Sequence, residues 1–265
     1  MYFKIISIFS LFVALMFSSC DKKQEDPEER PKPGIAADSL KIIGPGESFF
    51  NVNISSNIKY QTIDNFSASD CWAVQYIGNW PEAKRTAMAD WLFSMDTTKN
   101  GQPLGIGLSA WRFNFGTASA QQGESSGISD PWRRTNCFLQ TDGQYDWSKQ
   151  SGQLWFLNAA KERGVESFIA FSNSPPIYFT KNGKAHGNTS DKQNLASNQM
   201  ENFADFLINV VKGVKQEYNI EFDYISPVNE PQWDWLGGQE GSHYENTTYG
   251  ELVEVLNQKL NLSSE

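Results

Sequence analysis

The chain has 265 residues, with 22 basic and 31 acidic side chains and a formal net charge of −9. This length allows one large core or two smaller ones, and it excludes a peptide or a disulfide-stapled miniprotein. The acidic balance argues against nucleic acid as a partner, because its phosphates are bound through clustered lysine and arginine. A hydrophobic content of 39% excludes a polytopic membrane protein, and 18 Phe, 9 Trp and 9 Tyr argue against disorder.

The amino terminus has the pattern of an export signal. Lys4 precedes an uncharged run over residues 5–18, which is shorter than the ~20 residues of a membrane span but typical of a signal peptide. The run ends in Phe17-Ser18-Ser19-Cys20, which resembles the lipobox of bacterial lipoproteins. We therefore predict a signal peptide over 1–19 and a lipid on Cys20 that anchors the protein in the outer membrane, at the cell surface or in the periplasm. The alternative is ordinary secretory cleavage beside an incidental cysteine.

The next segment has the composition of a flexible tether. Acidic residues and prolines are frequent between residues 21 and 38, and aromatic residues are missing there. The acidic start of this segment resembles the export tag of surface lipoproteins in Bacteroides-like bacteria. We predict a tether over 20–40. Further on, Phe50, Val52 and Ile54 alternate with polar residues, which predicts a short strand of an accessory β-segment over 41–58.

From residue 59 onward, strand and helix patterns alternate. Strands are predicted over 60–67, 105–115, 166–172 and 222–228, and helices over 81–95, 149–163, 199–218 and 249–260. Four strand–helix units in series predict a parallel sheet covered by helices. Long loops after the strands are typical of a (β/α)8 barrel, whose active site lies at the carboxyl ends of the strands. We therefore predict an α/β fold in which 59–265 form about four βα units, the amino-terminal half of a TIM barrel.

A doubly wound sheet would produce the same alternation of strands and helices. That fold carries a glycine-rich phosphate turn after its first strand, whereas this chain has Asn-Phe-Ser-Ala-Ser-Asp over 65–70. The barrel is therefore the preferred prediction.

The strongest catalytic motif is Asn229-Glu230-Pro231, at the end of the fourth predicted strand in the sequence ISPVNEP. A carboxyl at the rim of an apolar barrel, flanked by Trp233 and Trp235, is expected to be desolvated. Desolvation favours the protonated form, which can donate its proton to a leaving oxygen. The alternative for Glu230 is an ordinary glutamate at a helix N-terminus.

Three further segments accompany this motif: QTIDNFSASD over 61–70, WRFNFG over 111–116 and SNSPP over 172–176. In this order the four segments resemble glycoside hydrolase family 30, and most closely its endo-β-1,6-galactanase-like branch in Bacteroidetes. The resemblance covers about 60–243. It implies an enzyme that hydrolyses O-glycosyl bonds in a β-linked, β-1,6-galactan-like polysaccharide or oligosaccharide by a retaining mechanism, without a cofactor.

The resemblance also implies roles for particular side chains. Glu230 would be the general acid/base, Asn229 would bind the sugar 2-hydroxyl, and Arg112 would orient the catalytic carboxylates. The residues predicted to bind substrate are Asp70, Trp72, Trp111, Asn114, Trp233 and Trp235. Alternatives stay open for two of these side chains, because Arg112 could be a buried ion-pair partner and Trp111 could belong to the core. Trp132 and Trp147 are either sugar platforms or aromatic residues folded beneath their own loop.

A retaining mechanism needs a second carboxylate, the nucleophile, at ~5–5.5 Å from the acid/base. The family carries it at the end of strand 7, and the four predicted units end before such a strand. Asp70 and Asp234 are poorly placed to replace it. We therefore expect a half barrel that lacks strands 5–8 and has no nucleophile of its own. The alternative function is that of a non-catalytic, glycan-binding surface lipoprotein.

Other chemistries are excluded by the residue counts. With 2 histidines the chain cannot form a three-histidine metal site, and a histidine-dependent serine triad is strained. Cys71 and Cys137 do not have metal-ligand spacing, and we predict that they are buried free thiols, with a disulfide between them as the alternative. No metal and no cofactor are predicted.

Overall fold

The computed structural model describes residues 39–43, 49–53, 57–190 and 192–262. The predicted signal peptide, Cys20 and nearly all of the predicted tether lie outside these residues. The chain divides into two compact units, Met1–Ile58 and Lys59–Glu265.

The first unit contains an antiparallel pair of strands, β1 (Ser39–Ile43) and β2 (Phe49–Asn53), with Ile42 opposite Phe50. The sequence predicted only the second strand. The predicted end of the tether at residue 40 is also too late, because β1 already begins at Ser39. The short apolar stretch over 40–43 was missed because it follows directly on a polar, proline-rich segment.

The second unit is built on a parallel sheet of four strands, whose order in the sheet is their order in the chain. The strands are β3 (Ser67–Ser69), β4 (Ala110–Phe115), β5 (Ser167–Ser172) and β6 (Tyr224–Ser226). The α-helices are α1 (Val74–Ile77), α2 (Glu82–Phe93), α3 (Ser119–Gln122), α4 (Ser151–Glu162), α5 (Met200–Tyr218) and α6 (Asn246–Leu262). Short 3-10 helices lie at Gly123–Ser126, Pro131–Arg133 and Ile177–Phe179. The α/β fold with a parallel sheet is thus confirmed.

The helices pack against one face of the sheet, and β4 shows how the chain separates the two faces. Trp111, Phe113 and Phe115 alternate along β4 and are buried in the core together with side chains of α2, α4, α5 and α6. Phe93 of α2 contacts the Trp111 ring edge-on, with 5.0 Å between ring centroids. Arg112 and Asn114 alternate with these residues, and therefore belong to the opposite face.

The predicted helices are found with small differences at their ends, whereas the first strand is displaced. The sequence predicted a strand over 60–67, but β3 covers only Ser67–Ser69. The preceding residues are exposed, including Phe66 at 65%, so their apolar side chains do not mark a buried strand. The second strand is also shorter than predicted, because Gly107 has a left-handed φ of 62° and the strand begins only at Ala110.

Both cysteines in the described residues are free. Cys137 is fully buried and Cys71 partly so, which agrees with the predicted free thiols. Burial raises the pKa of both thiols. Of the helices described, none combines the length and the apolar character that a bilayer crossing needs.

Candidate functional site

The polar residues singled out in the sequence lie at the carboxyl ends of the four parallel strands. Asp70 directly follows β3, Asn114 is in β4, Asn173 directly follows β5, and Asn229 and Glu230 lie in the loop after β6. Strands that run parallel bring their carboxyl ends to the same edge of the sheet. Two hydrogen-bonded groups connect these residues across the strands.

The first group joins β4 to the loop after β6. Arg112 Nη2 donates to Asn229 Oδ1 at 2.9 Å, and the guanidinium carbon lies 3.5 Å from the centroid of the Phe171 ring. Burial lowers the pKa of Arg112, while the nearby groups of Cys71, Asp70 and Glu230 act in the opposite direction. Arginine stays charged in proteins. The contact fixes the orientation of the Asn229 amide, so that its Nδ2 is the donor that remains.

No ion pair of Arg112 with an acidic residue within 4 Å occurs in the described residues. The ion-pair alternative is therefore wrong for the part of the chain that the structure covers. Arg112 instead contacts an amide and an aromatic ring.

The second group lies beneath the surface. Both carboxyl oxygens of Asp70 accept from the Asn114 backbone N, at 3.0 and 3.1 Å, and Gln153 Nε2 donates to Oδ2 at 2.9 Å. Burial raises the pKa of Asp70 to about 7, against the effect of these donors. Asn114 Oδ1 accepts from Asn173 Nδ2 at 3.0 Å. Asp70 and Asn114 have almost no exposed surface, so the structure gives them a supporting position rather than the predicted sugar contact.

Glu230 lies in a strained backbone position with its side chain exposed. Its φ is 44°, which is uncommon for a residue with a side chain. Its carbonyl oxygen accepts from the Trp233 backbone N and from Trp235 Nε1, both at 3.0 Å. Such conformations persist where the surroundings hold them, and they cluster at functional sites. The expectation that flanking tryptophans desolvate this carboxyl is wrong for the described residues, because the side chain is exposed.

The predicted sugar-binding tryptophans separate into exposed and buried side chains. Trp233 is 63% exposed and lines an open concavity of about 520 Å³ formed by residues 232–236. Trp235 is only 7% exposed and packs flat against Gly241, where an added Cβ would lie 2.3 Å from the ring. Trp111 is 1% exposed and belongs to the core. The prediction that Trp111 contacts sugar is therefore wrong, since its strand position faces the helices.

Trp72, Trp132 and Trp147 lie in the segments that follow β3 and β4. Trp72 is partly buried and joined to Cys71 by a cis peptide bond. Trp132 is exposed and packs on Tyr76, with 4.6 Å between ring centroids. Trp147 is partly buried and contacts Phe138 at 5.1 Å. Trp147 thus folds beneath its own loop, whereas Trp132 presents a ring at the surface.

The structure also shows a buried carboxyl that the sequence analysis missed. Glu240, in the loop after β6, is fully buried. Its Oε1 accepts from the hydroxyls of Thr117 and Ser119 and, at 3.1 Å, from the Thr135 backbone N. The Thr135 hydroxyl lies 2.8 Å from each carboxyl oxygen. Burial raises the pKa of Glu240 to about 7, although each of these donors acts to lower it.

Through these hydrogen bonds, Glu240 connects the loop that carries Glu230 to the segment after β4. No sequence motif marks this contact, because the hydroxyl donors come from positions more than a hundred residues earlier in the chain. The only available signal was an acidic residue within an otherwise uncharged stretch over 235–243.

The remaining carboxylate and histidine candidates have structural partners. Asp234 pairs with Lys192 at 2.8 Å. His186 contacts backbone carbonyl oxygens, and His243 Nε2 lies 3.2 Å from Glu245. Within the part of the chain that the structure covers, no group of three or more histidine, cysteine, aspartate or glutamate residues could hold a metal ion.

Comparison with known proteins identifies related sequences. A protein-family model described as "O-Glycosyl hydrolase family 30" matches residues 50–265. An endo-beta-1,6-galactanase from Hypocrea rufa is 27% identical over 245 residues, which cover 86% of this chain and 50% of that protein. The chain thus spans about half the length of this curated relative.

Solved structures share the fold. An exported protein from Bacteroides fragilis is 38% identical, with a TM-score of 0.74, over 80% of this chain and 44% of that one. SrfJ from Salmonella typhimurium, at 16% identity and a TM-score of 0.59, covers 77% of this chain and 42% of its own. The catalytic domain of xylanase C from Talaromyces cellulolyticus has 20% identity and a TM-score of 0.53, over 78% of this chain and 46% of its own. At their low identities, the last two show the fold alone.

Proposed function

The chain belongs to O-glycosyl hydrolase family 30, and from this premise we propose that it acts in the hydrolysis of a β-linked polysaccharide of the β-1,6-galactan type. The observation that carries the proposal is the Asn229-Glu230 pair in the loop after β6, with Arg112 bound to Asn229. The galactanase relative supports the choice of substrate.

We further propose that the four parallel strands are consecutive strands of a (β/α)8 barrel. Their sheet order equals their chain order, and each strand is followed by helical structure. This arrangement is what the first half of such a barrel requires. The family members and related structures extend well beyond the matched part, since this chain covers 42–46% of the three solved chains.

In the proposed reaction, Glu230 supplies and then removes a proton. Its protonated carboxyl donates to the glycosidic oxygen while a second carboxylate attacks the anomeric carbon, so that the glycosidic bond breaks and a glycosyl ester forms. The Glu230 carboxylate then accepts a proton from the water that cleaves this ester. Asn229 Nδ2 is oriented by Arg112 to donate to the sugar 2-hydroxyl, and Trp233 offers an exposed ring beside the acid.

The second carboxylate is assigned to the part of the family that lies beyond the matched residues. Asp70 is buried beneath the site, and Asp234 is paired with Lys192. Neither is therefore free to attack from the side opposite Glu230, as a retaining mechanism demands.

The acid assignment is tested by Glu230→Gln in the full-length protein, with Glu251→Gln on the exposed surface of α6 as the matched control. We expect loss of galactan hydrolysis by about 10²–10⁴-fold, the usual contribution of a general acid/base. The loss should be smaller in the glycosylation step of an aryl glycoside, because its leaving group needs less protonation. Equal losses on both substrates would overturn the assignment. Glycan binding without turnover by the unaltered protein would instead favour the non-catalytic alternative.

We also propose that the protein is a lipoprotein of the outer membrane, anchored through Cys20. The support comes from the sequence, namely the short uncharged run and the small residues before this cysteine. Replacing Cys20 by alanine should release the protein into the soluble fraction after cell lysis, as followed by immunoblot. If the variant stays with the membrane like its parent, there is no lipid anchor at this position.

A further inference from the structure

A groove of about 570 Å³ lies on the helix side of the second unit. None of the residues that line it belongs to the loop after β6. It is formed by the loop after β4, the 3-10 turn after β5 and the first half of α5. Its lining includes Tyr145, Tyr178, Phe179, Asn202, Asp205 and Asn209. None of these residues takes part in the site described above.

The aromatic part of the groove is held in place by packing. The Tyr145 ring stacks on Trp147 and on Phe206, at 5.4 and 6.5 Å between centroids and with an angle of 16° in each case. Tyr178 and Phe179 are partly buried, and the Phe179 carbonyl accepts from the Ala196 backbone N at 3.0 Å. The groove therefore offers ring surfaces that need little reorganisation on binding.

The polar part of the groove is a row of side chains on one face of α5. Asn202, Asp205 and Asn209 are spaced by three and four residues, so they lie above one another along the helix. Asn202 Nδ2 donates to Gln199 at 2.7 Å, and Asn209 Nδ2 donates to the Tyr145 hydroxyl at 3.3 Å. These contacts orient the amides and leave both amide oxygens as acceptors for hydroxyl groups.

The charge of the groove selects the class of ligand. Asp205 is the only charged residue among those that line it, and its carboxylate pairs with Lys259 Nζ of α6 at 2.8 Å. Lys259 also pairs with Glu201 at 2.8 Å. The lining thus presents no unpaired cation to a phosphate or sulfate. Aromatic faces beside oriented amides suit a neutral, polyhydroxylated ligand, since binding sites combine apolar walls with a few placed polar groups.

We propose that this groove is a second glycan-binding site, which holds a neutral β-linked oligosaccharide separately from the site at the sheet edge. A sugar ring would pack on Tyr178, and its hydroxyls would donate to Asn202 and Asn209. The choice of a glycan over other neutral ligands rests on the proposed function, whereas the groove itself does not depend on Glu230.

The test is calorimetric titration of the full-length protein carrying Glu230→Gln, with a β-1,6-linked galacto-oligosaccharide as the probe. We expect two classes of sites. Tyr178→Ala should weaken one class at least tenfold, and Trp233→Ala should leave that class unchanged. Asn202→Ala, at an exposed helix position where alanine favours the fold, should weaken the same class. The matched controls are Tyr249→Ala and Asn257→Ala, both exposed on α6.

The proposal is overturned if neither Tyr178→Ala nor Asn202→Ala changes any binding, or if the parent does not bind the probe. Its failure is distinguishable from failure of the proposed function. If the protein hydrolyses galactan and its groove variants bind the probe like the parent, only the proposal of a glycan-binding groove is refuted. If the groove variants lose one class of sites and the protein hydrolyses no galactan, only the proposed enzymatic function is refuted.

Discussion

Replacing Glu240 by glutamine should make the protein more stable at alkaline pH and leave it nearly unchanged at acidic pH. The carboxyl is fully buried, and its pKa is raised from 4.5 to about 7. Each unit of pKa difference between the folded and the unfolded chain is worth ~1.4 kcal/mol, so the raised pKa of Glu240 corresponds to about 3 kcal/mol of stability.

The direction of the pH dependence follows from the raised pKa. Below pH 4.5 the carboxyl is protonated in both folded and unfolded chains, so its contribution to stability is fully present. As the pH rises, the unfolded chain loses its proton first, and stability falls until the folded carboxyl ionises near pH 7. Asp70, whose pKa is also raised to about 7, adds a fall in the same direction.

Glutamine can occupy the same place without a charge. Its Oε1 can accept from Thr117, Ser119 and Thr135 as the Glu240 Oε1 does, and its Nε2 would lie beside the Thr135 hydroxyl, 2.8 Å from the present Oε2. We therefore expect Glu240→Gln to lie within about 1 kcal/mol of the parent at pH 5 and to exceed it by up to about 3 kcal/mol at pH 8. The remaining pH dependence of the variant belongs to Asp70.

The assay is urea unfolding followed by tryptophan fluorescence at pH 5, 6.5 and 8. Glu254→Gln, at an exposed position on α6, is the control and should differ from the parent by the same small amount at each pH. If Glu240→Gln is destabilised equally at pH 5 and pH 8, then the donors around Glu240 hold an ionised carboxylate and the reasoning fails.

Two pairs of substitutions test the packing described above, each by the same urea titration. Trp111→Ala should lower the free energy of unfolding by about 3–5 kcal/mol, as for a large aromatic side chain lost from a core. Trp233→Ala should leave it within about 0.5 kcal/mol of the parent value. Equal losses would contradict the assignment of Trp111 to the core. Gly213→Ala brings a Cβ to 1.9 Å from the Trp147 ring and should cost about 1–3 kcal/mol. A Cβ added at Gly250 in α6 has no atom within 4 Å, so Gly250→Ala should be neutral or should stabilise the fold by up to about 1 kcal/mol. A larger loss of stability for Gly250→Ala than for Gly213→Ala would refute the packing argument.

The helices and the sheet class could be predicted because they depend on local patterns. The apolar stripe of α5 runs through Phe203, Phe206 and Val210, and all three are buried. The first strand could not be located in this way. Residues 60–66 include several apolar side chains that are exposed in the described structure, so their pattern does not report burial.

The site could be predicted only where a motif carries it. Asn229 and Glu230 were singled out from a motif, and their catalytic roles stay a prediction. The motif placed them at the edge of a parallel sheet, but it did not predict the hydrogen bond from Arg112 to Asn229. The position of Trp111 did not follow, because a strand that is buried on both faces does not reveal which face the helices cover. Glu240 could not be found either, since its donors are distant in the chain and belong to loops without regular periodicity.

The sequential order of the sheet has a consequence for how the protein is made. Each of β4, β5 and β6 pairs with the strand before it in the chain, so each of these three strands can dock as soon as it has been made. The loop closure needed for strand pairing therefore involves only neighbouring units, and the entropy lost at each pairing step is limited to one strand–helix unit. A growing polypeptide can add these units one by one as it leaves the ribosome.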